Sequence, residues 1–414
     1  MSASGKAGIA VGLCILAAMC EGMDVQVAGV AAAGIAAQFS PTPERLGTFF
    51  SSSTLGLLLG ALAGGWMSDR HGRKTVLVVS VALFGVCSLL TAASQDILQL
   101  TWARLFTGFG LGGAMPNLLA MVSEESPDRS RHSNLTLVFA AMPVGGALIS
   151  LIAMMIPAGH WRSLFVAGGF LPLIMAGLMA RYLPESAEFN RKHQANIQSG
   201  GGADNRLGRI MGEGRALPSL LLWASFFLGL FILYLLLNWM PMLMMGRGMS
   251  STGAAQTQIA FNAGGAIAAA GIGAFLGGAR RLPAVGLTAF SMPLLFYLLA
   301  QSHAQAAGLF VIVLALGCAV QALLAFLYAT APLIYPVLTR GLGVGIAVAI
   351  GRLGAVVGPK LGGAWKAEGL DTSQLLMKVL PIVIMVSVGA LALAFVTVRV
   401  SRVSPAEPPA EGPG

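Results

Sequence analysis

Charged side chains are scarce in this sequence. Asp, Glu, Lys and Arg make up 10% of its 414 residues, whereas 56% are hydrophobic. An average soluble domain carries about 25% charged residues. A soluble chain of this size still exposes a large part of its surface to water, so it cannot hide this much apolar surface. The composition therefore excludes an ordinary soluble protein and points to lipid as the surrounding solvent.

The residue types that bind metals or carry out covalent catalysis form no recognisable motif. The five histidines fall at the ends of apolar runs or between them. The serine run at 51–53 lacks the flanking glycines of a nucleophile elbow, and no phosphate-binding loop occurs. The four cysteines lack paired spacing and indicate small buried side chains; they are Cys14, Cys20, Cys87 and Cys318. We expect no cofactor and no metal. The lack of a phosphate-binding loop disfavours an ATP-driven pump.

Long apolar runs fill the chain instead. A bilayer core of ~30 Å is crossed by about 20 apolar residues in a helix. Because lipid offers no hydrogen-bond partners, every backbone N–H and C=O group must be hydrogen-bonded within the protein. Such runs predict twelve transmembrane helices, and the expected fold class is an all-α membrane protein. The predicted spans are 7–37, 46–68, 75–94, 97–122, 135–157, 163–182, 218–244, 254–278, 283–301, 306–334, 341–364 and 373–398.

The distribution of basic residues predicts the topology. With the N-terminus inside the cell, most of the 25 Lys and Arg residues fall in cytoplasmic loops, as the positive-inside rule requires. Both termini are then expected in the cytoplasm of a cell with this protein in its inner membrane. The net charge of +9 reflects this topology rather than a surface for nucleic acid.

One long polar stretch divides the chain. Residues 187–217 separate two predicted bundles of six helices, 1–186 and 218–414. A flexible linker at this point lets the bundles move against each other. The spacing of Pro127 and Arg131 at the end of the fourth span recurs at the end of the tenth, which supports an internal repeat.

A glycine-rich basic loop joins the second and third spans. Glycines allow a tight turn. The acid of this loop, Asp69, can pair with a basic group or meet the positive end of a helix. We expect a cytoplasmic gate, although an ordinary basic loop that only sets topology is the alternative. The second half has Gly278 in place of Asp69 and keeps Arg280 and Arg281, so the gate is asymmetric. The predicted gate residues are Gly65, Asp69, Arg70, Gly72, Arg73, Glu124, Arg131 and Arg340.

Two acids lie near the middle of the first span. Glu21 and Asp24 are three residues apart and share a helix face. An ionised acid at this depth costs roughly 2.5–3.5 kcal/mol, so a proton and substrate relay is favoured over a structural ion pair. Gly22 between them permits the close approach of a substrate or a neighbouring helix.

Two arginines lie within other spans. Arg352 stands in the middle of the eleventh span, and its planar fork can hold a carboxylate through two hydrogen bonds. A structural partner for an acid is the alternative. Arg104 lies in the fourth span, where packing or proton coupling is as plausible as substrate contact.

Several polar side chains also interrupt the spans. Each alone more often joins helices than contacts a ligand. Together they can line a cavity, hold a phenolic hydroxyl and stack on its ring. These candidate substrate-binding residues are Tyr234, Asn238, Asn262, Gln321 and Tyr328.

These motifs resemble those of the major facilitator superfamily. The gate loop resembles its signature, and the fourth and sixth spans carry further matches at 104–110, 124–131 and 183–186. The stretch Glu21-Gly22-Met23-Asp24 resembles the acid-Gly-x-Asp signature of the aromatic acid:proton symporters, with Glu21 replacing the usual Asp. Segments 234–241 and 340–354 are also similar to that family.

The resemblance implies a monomeric proton-coupled symporter with two six-helix bundles. It would take up an aromatic carboxylate, such as a hydroxyphenylpropionate, by alternating access, with the substrate, protons and the lipid bilayer as its partners. Glu21, Asp24 and Arg104 would couple protons, and Arg352 would bind the substrate. Another organic acid or a sugar stays open as the substrate. A non-transporting receptor and an intramembrane enzyme stay open as different classes of protein.

Overall fold

A computed structural model describes residues 3–185, 211–212, 215–275, 281–303, 308–336 and 339–403. Within these ranges the chain forms twelve α-helices and one short 3-10 turn, Ala158–His160. The helices are α1 (Ala3–Phe39), α2 (Pro43–His71), α3 (Arg73–Ala93), α4 (Ile97–Glu125), α5 (Asp128–Met155), α6 (Trp161–Tyr182), α7 (Ala216–Met245), α8 (Ser251–Phe275), α9 (Arg281–Gln301), α10 (Leu309–Ile334), α11 (Arg340–Ala367) and α12 (Thr372–Val403).

The helices follow the predicted spans in number and order. Eleven of them are long and apolar enough to cross a membrane. The helix not included is α8, which carries the polar residues Gln258 and Asn262 and whose predicted span ended at 278, outside the described residues. Most of the predicted linker also lies outside the described residues.

Small residues let the helices pack closely. In lipid, helices associate through van der Waals contact, which favours small side chains at their interfaces. A Cβ atom added at Gly22 of α1 would collide with the main-chain oxygen of Met142 in α5, and one added at Gly145 of α5 would collide with that of Met19. Gly22 therefore serves the approach of a neighbouring helix, which is one of the two roles expected from the sequence.

Helices α1–α6 and α7–α12 form two bundles. Across their boundary, α2 packs against α11, α5 against α8, and α1 against α7. We call the face at which α1 begins the terminal face and the other the distal face. The α2–α3 turn lies on the terminal face, and the α1–α2 turn lies on the distal face.

The bundles are in close contact toward the distal face. Gly47 near the start of α2 lies directly against Gly363 near the end of α11. The Ser51 hydroxyl donates to the main-chain oxygen of Val356 at 2.7 Å, and the rings of Phe50 and Trp239 meet edge to face at 5.3 Å. These contacts close the distal end of the boundary between the bundles.

Candidate functional site

Asp24 and Arg104 form a buried ion pair within the first bundle. Nη1 of Arg104 donates to both carboxylate oxygens of Asp24, at 2.9 and 2.8 Å. Nη2 donates to the main-chain oxygen of Asp24 at 2.9 Å and to the Ser53 hydroxyl at 3.1 Å. Asp24 is 0% exposed and Arg104 is 1% exposed. Such a pair is tolerated because these additional hydrogen bonds compensate for its removal from water.

Glu21 lies one helical turn from Asp24 in a different environment. Its side chain is 1% exposed, yet neither carboxylate oxygen has a hydrogen-bond partner among the described residues. The guanidinium of Arg352 is the cation that acts on it electrostatically. A buried ion without hydrogen bonds is costly, so Glu21 is the acid that gains most from binding a proton or a charged partner.

Residues of three other helices lie near Arg352. The guanidinium of Arg352 in α11 is within electrostatic range of the proton-coupling candidate Glu21 of α1 and of the substrate-binding candidates Tyr234 of α7 and Tyr328 of α10. Tyr234 is buried, whereas Arg352 and Tyr328 are partly exposed. The cluster therefore unites residues of both bundles around a cation that is partly exposed.

The remaining predicted substrate residues occupy different surroundings. Asn238 donates to the main-chain oxygen of Tyr234 at 2.8 Å and borders a small cavity between the bundles, together with Arg104. Gln321 of α10 is partly exposed and lies near Gly265 of α8. Asn262 is engaged in a contact between the bundles.

That contact is an amide cluster, formed by Gln26, Gln258 and Asn262, and two of its members were not predicted. Nε2 of Gln26 donates to Oδ1 of Asn262 at 2.7 Å, and Nδ2 of Asn262 donates to Oε1 of Gln26 at 2.7 Å. Gln258 also donates to Oε1 of Gln26, at 2.8 Å. All three are buried. Gln26 and Gln258 are not among the predicted site residues. Both could have been found from the sequence, because each is a polar residue within an apolar run.

The predicted gate loop is a tight turn on the terminal face. Gly72 has a φ of 89°, which favours glycine, and its N–H donates to the main-chain oxygen of Ser68 at 3.1 Å. Arg73 pairs with Glu124 of α4. The acid that meets the start of α3 is Glu185, which accepts from the main-chain N–H of Lys74 at 3.0 Å. The side chain of Asp69 lies outside the described residues.

Other gate residues lie on the helices around this turn. Gly65 sits inside α2, within the predicted span 46–68, and the helix continues to His71. Arg70 stacks over the Trp66 ring at 4.0 Å. Arg131 bonds back to the main-chain oxygen of Ser123 at 2.8 Å.

Two arginines of the second half lie on the terminal face, each at the start of a helix. Arg340 is exposed at the start of α11. Arg281 donates to the Thr330 hydroxyl at 2.7 Å, whereas residues 278–280 lie outside the described ranges. In the part of the chain that is described, no group of three or more His, Cys, Asp and Glu residues is placed to hold a metal ion.

Comparisons with known proteins agree with this architecture. A family model for the Major Facilitator Superfamily matches residues 14–359. The chain is 37% identical to the 3-(3-hydroxy-phenyl)propionate transporter of Escherichia coli over 404 residues, 98% of this chain and 97% of the relative. It is 32% identical to the 4-hydroxybenzoate transporter PcaK of Pseudomonas putida, covering 93% and 92%. It is 33% identical to a gallate transporter of Pseudomonas putida, covering 86% and 85%.

Solved structures show the same fold. A D-xylose-proton symporter superposes with a TM-score of 0.72 at 17% identity, covering 94% of this chain and 96% of that one. A bacterial homologue of the human lysosomal transporter Spinster gives 0.72 at 17% identity, covering 95% and 97%.

Proposed function

Because the chain belongs to the major facilitator superfamily, we propose that it is a proton-coupled symporter that carries an aromatic carboxylate across the membrane by alternating access. The observation that carries the proposal is that Glu21, a buried acid of one bundle, lies within electrostatic range of Arg352, a cation of the other. The relatives are named as transporters rather than enzymes, which disfavours the intramembrane enzyme.

The substrate class follows from what the relatives' substrates share. 3-(3-Hydroxyphenyl)propionate, 4-hydroxybenzoate and gallate are all carboxylates that bear a ring with a phenolic hydroxyl. Arg352 supplies a fork for the carboxylate, and Tyr328 supplies an aromatic face beside it. We propose 3-(3-hydroxyphenyl)propionate or a related hydroxylated acid as the substrate.

The proximity of Glu21 to Arg352 supports a mechanism in which proton binding and substrate binding are coupled. An ionised Glu21 competes with the substrate carboxylate for the same guanidinium. A proton on Glu21 removes that competition, so the anion binds to Arg352 when Glu21 is neutral. Import of the anion alone opposes about 2.3 kcal/mol per 100 mV of negative-inside potential. One proton carried with it cancels this electrical cost.

Asp24 and Arg104 form the second part of the relay. Asp24 lies one turn from Glu21, and its carboxylate is occupied by Arg104. A proton passing from Glu21 to Asp24 displaces the guanidinium and thereby loosens α1 from α4. In this scheme, Glu21 exchanges its proton in response to the substrate. Protonation of Asp24 then weakens the packing of α1 against α4.

We further propose that the terminal face is cytoplasmic and that the protein is a monomer in the inner membrane. The positive-inside distribution supports this orientation. With the distal end of the boundary closed, substrate cannot exchange with the outside of the cell in this state. The division into bundles 1–186 and 218–414 with a linker at 187–217 also remains our proposal.

Uptake into proteoliposomes tests the function. Radiolabelled 3-(3-hydroxyphenyl)propionate should accumulate inside vesicles with an acidic exterior, and a protonophore should abolish the accumulation. Benzoate-type acids should compete, whereas D-xylose should not. Uptake that is independent of the pH gradient would contradict proton coupling. Competition by the sugar alone would contradict the substrate class, and binding without net flux would indicate a receptor.

A further inference from the structure

Two aromatic rings face each other across the bundle boundary. The rings of Phe139 in α5 and Tyr328 in α10 have centroids 6.2 Å apart and are tilted by 38°. Both residues are partly exposed. Phe226 of α7 is buried and packs edge to face against Tyr328 at 5.0 Å, so it fixes the Tyr328 ring from the second bundle. The first bundle meets that ring through Phe139.

The same ring pair lies near the proposed carboxylate site. Tyr328 and Glu21 are both within electrostatic range of the Arg352 guanidinium. A carboxylate held by Arg352 therefore carries its aromatic ring, attached through only a few bonds, into the neighbourhood of Tyr328. Aromatic rings prefer offset or edge-to-face neighbours at about 4.5–7 Å, and the partly exposed edges of this ring pair can offer such a contact to the substrate ring.

We infer that Phe139 is a specificity-determining residue, which with Tyr328 forms an aromatic wall against which the ring of the substrate packs. The inference deepens the proposed function and rests on it, because the wall is useful only to an aromatic acid bound at Arg352. Phe139 lies on a helix to which the sequence assigned no substrate residue. Its contribution is selectivity for a π face over an aliphatic ring of the same size.

Two ligands separate this role from simple packing. 3-Phenylpropionate and 3-cyclohexylpropionate share the carboxylate and the linker, but only the first has a π face. Their dissociation constants are measured on the full-length protein in nanodiscs. Phe139→Leu should raise the dissociation constant of 3-phenylpropionate by about two- to tenfold. It should leave the dissociation constant of 3-cyclohexylpropionate unchanged. Phe139→Tyr, which keeps a ring, should retain the parental preference.

Phe170→Leu is the matched control, because Phe170 of α6 is 56% exposed and lies away from this ring pair; it should change neither constant. Equal weakening of both ligands by Phe139→Leu, or no weakening of either, would overturn the inference while leaving the proposed function intact. So would loss of the preference in Phe139→Tyr. A parent protein that binds 3-(3-hydroxyphenyl)propionate but not 3-phenylpropionate would overturn the inference alone, and one that binds none of these acids would overturn the proposed function as well.

Discussion

The side chain of Arg352 is a permanent charge within an apolar helix. Its fork can hold a carboxylate through two hydrogen bonds, whereas lysine offers a point charge. We expect Arg352→Lys to weaken binding of the aromatic acid by about ten- to a hundredfold, since a charged hydrogen bond contributes about 1.5–3 kcal/mol. Equilibrium binding in nanodiscs measures this, with the methyl ester of the acid as a ligand that both proteins bind equally poorly.

The control for this change is Arg162→Lys. Arg162 binds the main-chain oxygens of Ala92 and Ser94 near the distal face, so its replacement should leave affinity for the acid unaltered. If Arg352→Lys binds the acid as tightly as the parent, Arg352 is not the carboxylate clamp.

Glu21 is the acid whose carboxylate lacks a hydrogen-bond partner in the described structure. Glu21→Gln imitates its protonated form permanently and leaves Arg352 available to substrate. We expect binding of the acid to become independent of external pH and proton-driven accumulation to disappear, while exchange of labelled for unlabelled substrate persists. Glu44→Gln, at the exposed start of α2, should behave as the parent. Retention of concentrative uptake by Glu21→Gln would exclude Glu21 from coupling.

Asp24 has a structural role in its ion pair with Arg104, and the coupling role that we propose for it can be tested separately. Asp24→Asn leaves Arg104 without its buried counter-charge, which costs about 3–5 kcal/mol of stability for a pair of this kind. Accumulation driven by a pH gradient should also be lost, because an amide cannot carry the proton.

The double variant Asp24→Asn/Arg104→Gln removes both charges. It should recover much of the thermal stability in detergent but none of the accumulation. Recovery of both properties would mean that the ion pair is structural only.

At the level of elements, the contact of α1 with α5 holds the two acids in place. Gly22 lies against the main chain of Met142, so even a methyl group forces the helices apart. Gly22→Ala should lower the free energy of unfolding by about 1–3 kcal/mol, as overpacking does, and should reduce transport.

Gly12→Ala on the same helix is the comparison, because a Cβ atom there meets nothing within 4 Å. Thermal unfolding of both variants in detergent measures the difference. Equal stability of the two would show that α1 and α5 tolerate a wider separation.

The molecule as a whole is closed at its distal end, and the amide cluster contributes to that closure. Its hydrogen bonds join α1 to α8 and must break when the bundles separate there. A net hydrogen bond contributes about 0.5–1.5 kcal/mol, so Gln26→Ala should shift the population severalfold toward a state open at the distal face.

Labelling detects this shift. Ala255 lines a small distal cavity, and Ala255→Cys provides a site for a membrane-impermeant maleimide. The labelling rate should rise when Gln26→Ala is added and stay constant when Gln95→Ala, an exposed change between α3 and α4, is added. A rate unaffected by Gln26→Ala would show that the cluster does not hold the distal end closed.

The sequence by itself determined the helical architecture. Long apolar runs in lipid form α-helices because a helix satisfies the backbone hydrogen bonds within the segment. For that reason the predicted spans match α1–α12 in order. The superfamily resemblance is confirmed by the family match over residues 14–359. The buried charges were also visible, because Glu21, Asp24, Arg104 and Arg352 interrupt runs where charge is expensive.

Only the tertiary structure decided how these charges are paired. Asp24 and Arg104 are 80 positions apart, and whether Arg104 meets Asp24 or Glu21 depends on the rotation and depth of α1 against α4. The same holds for Gln26 and Asn262, 236 positions apart, and for the meeting of Phe139 with Tyr328. Periodicity assigns a residue to a helix face, but the partner of that face is set by packing between distant segments.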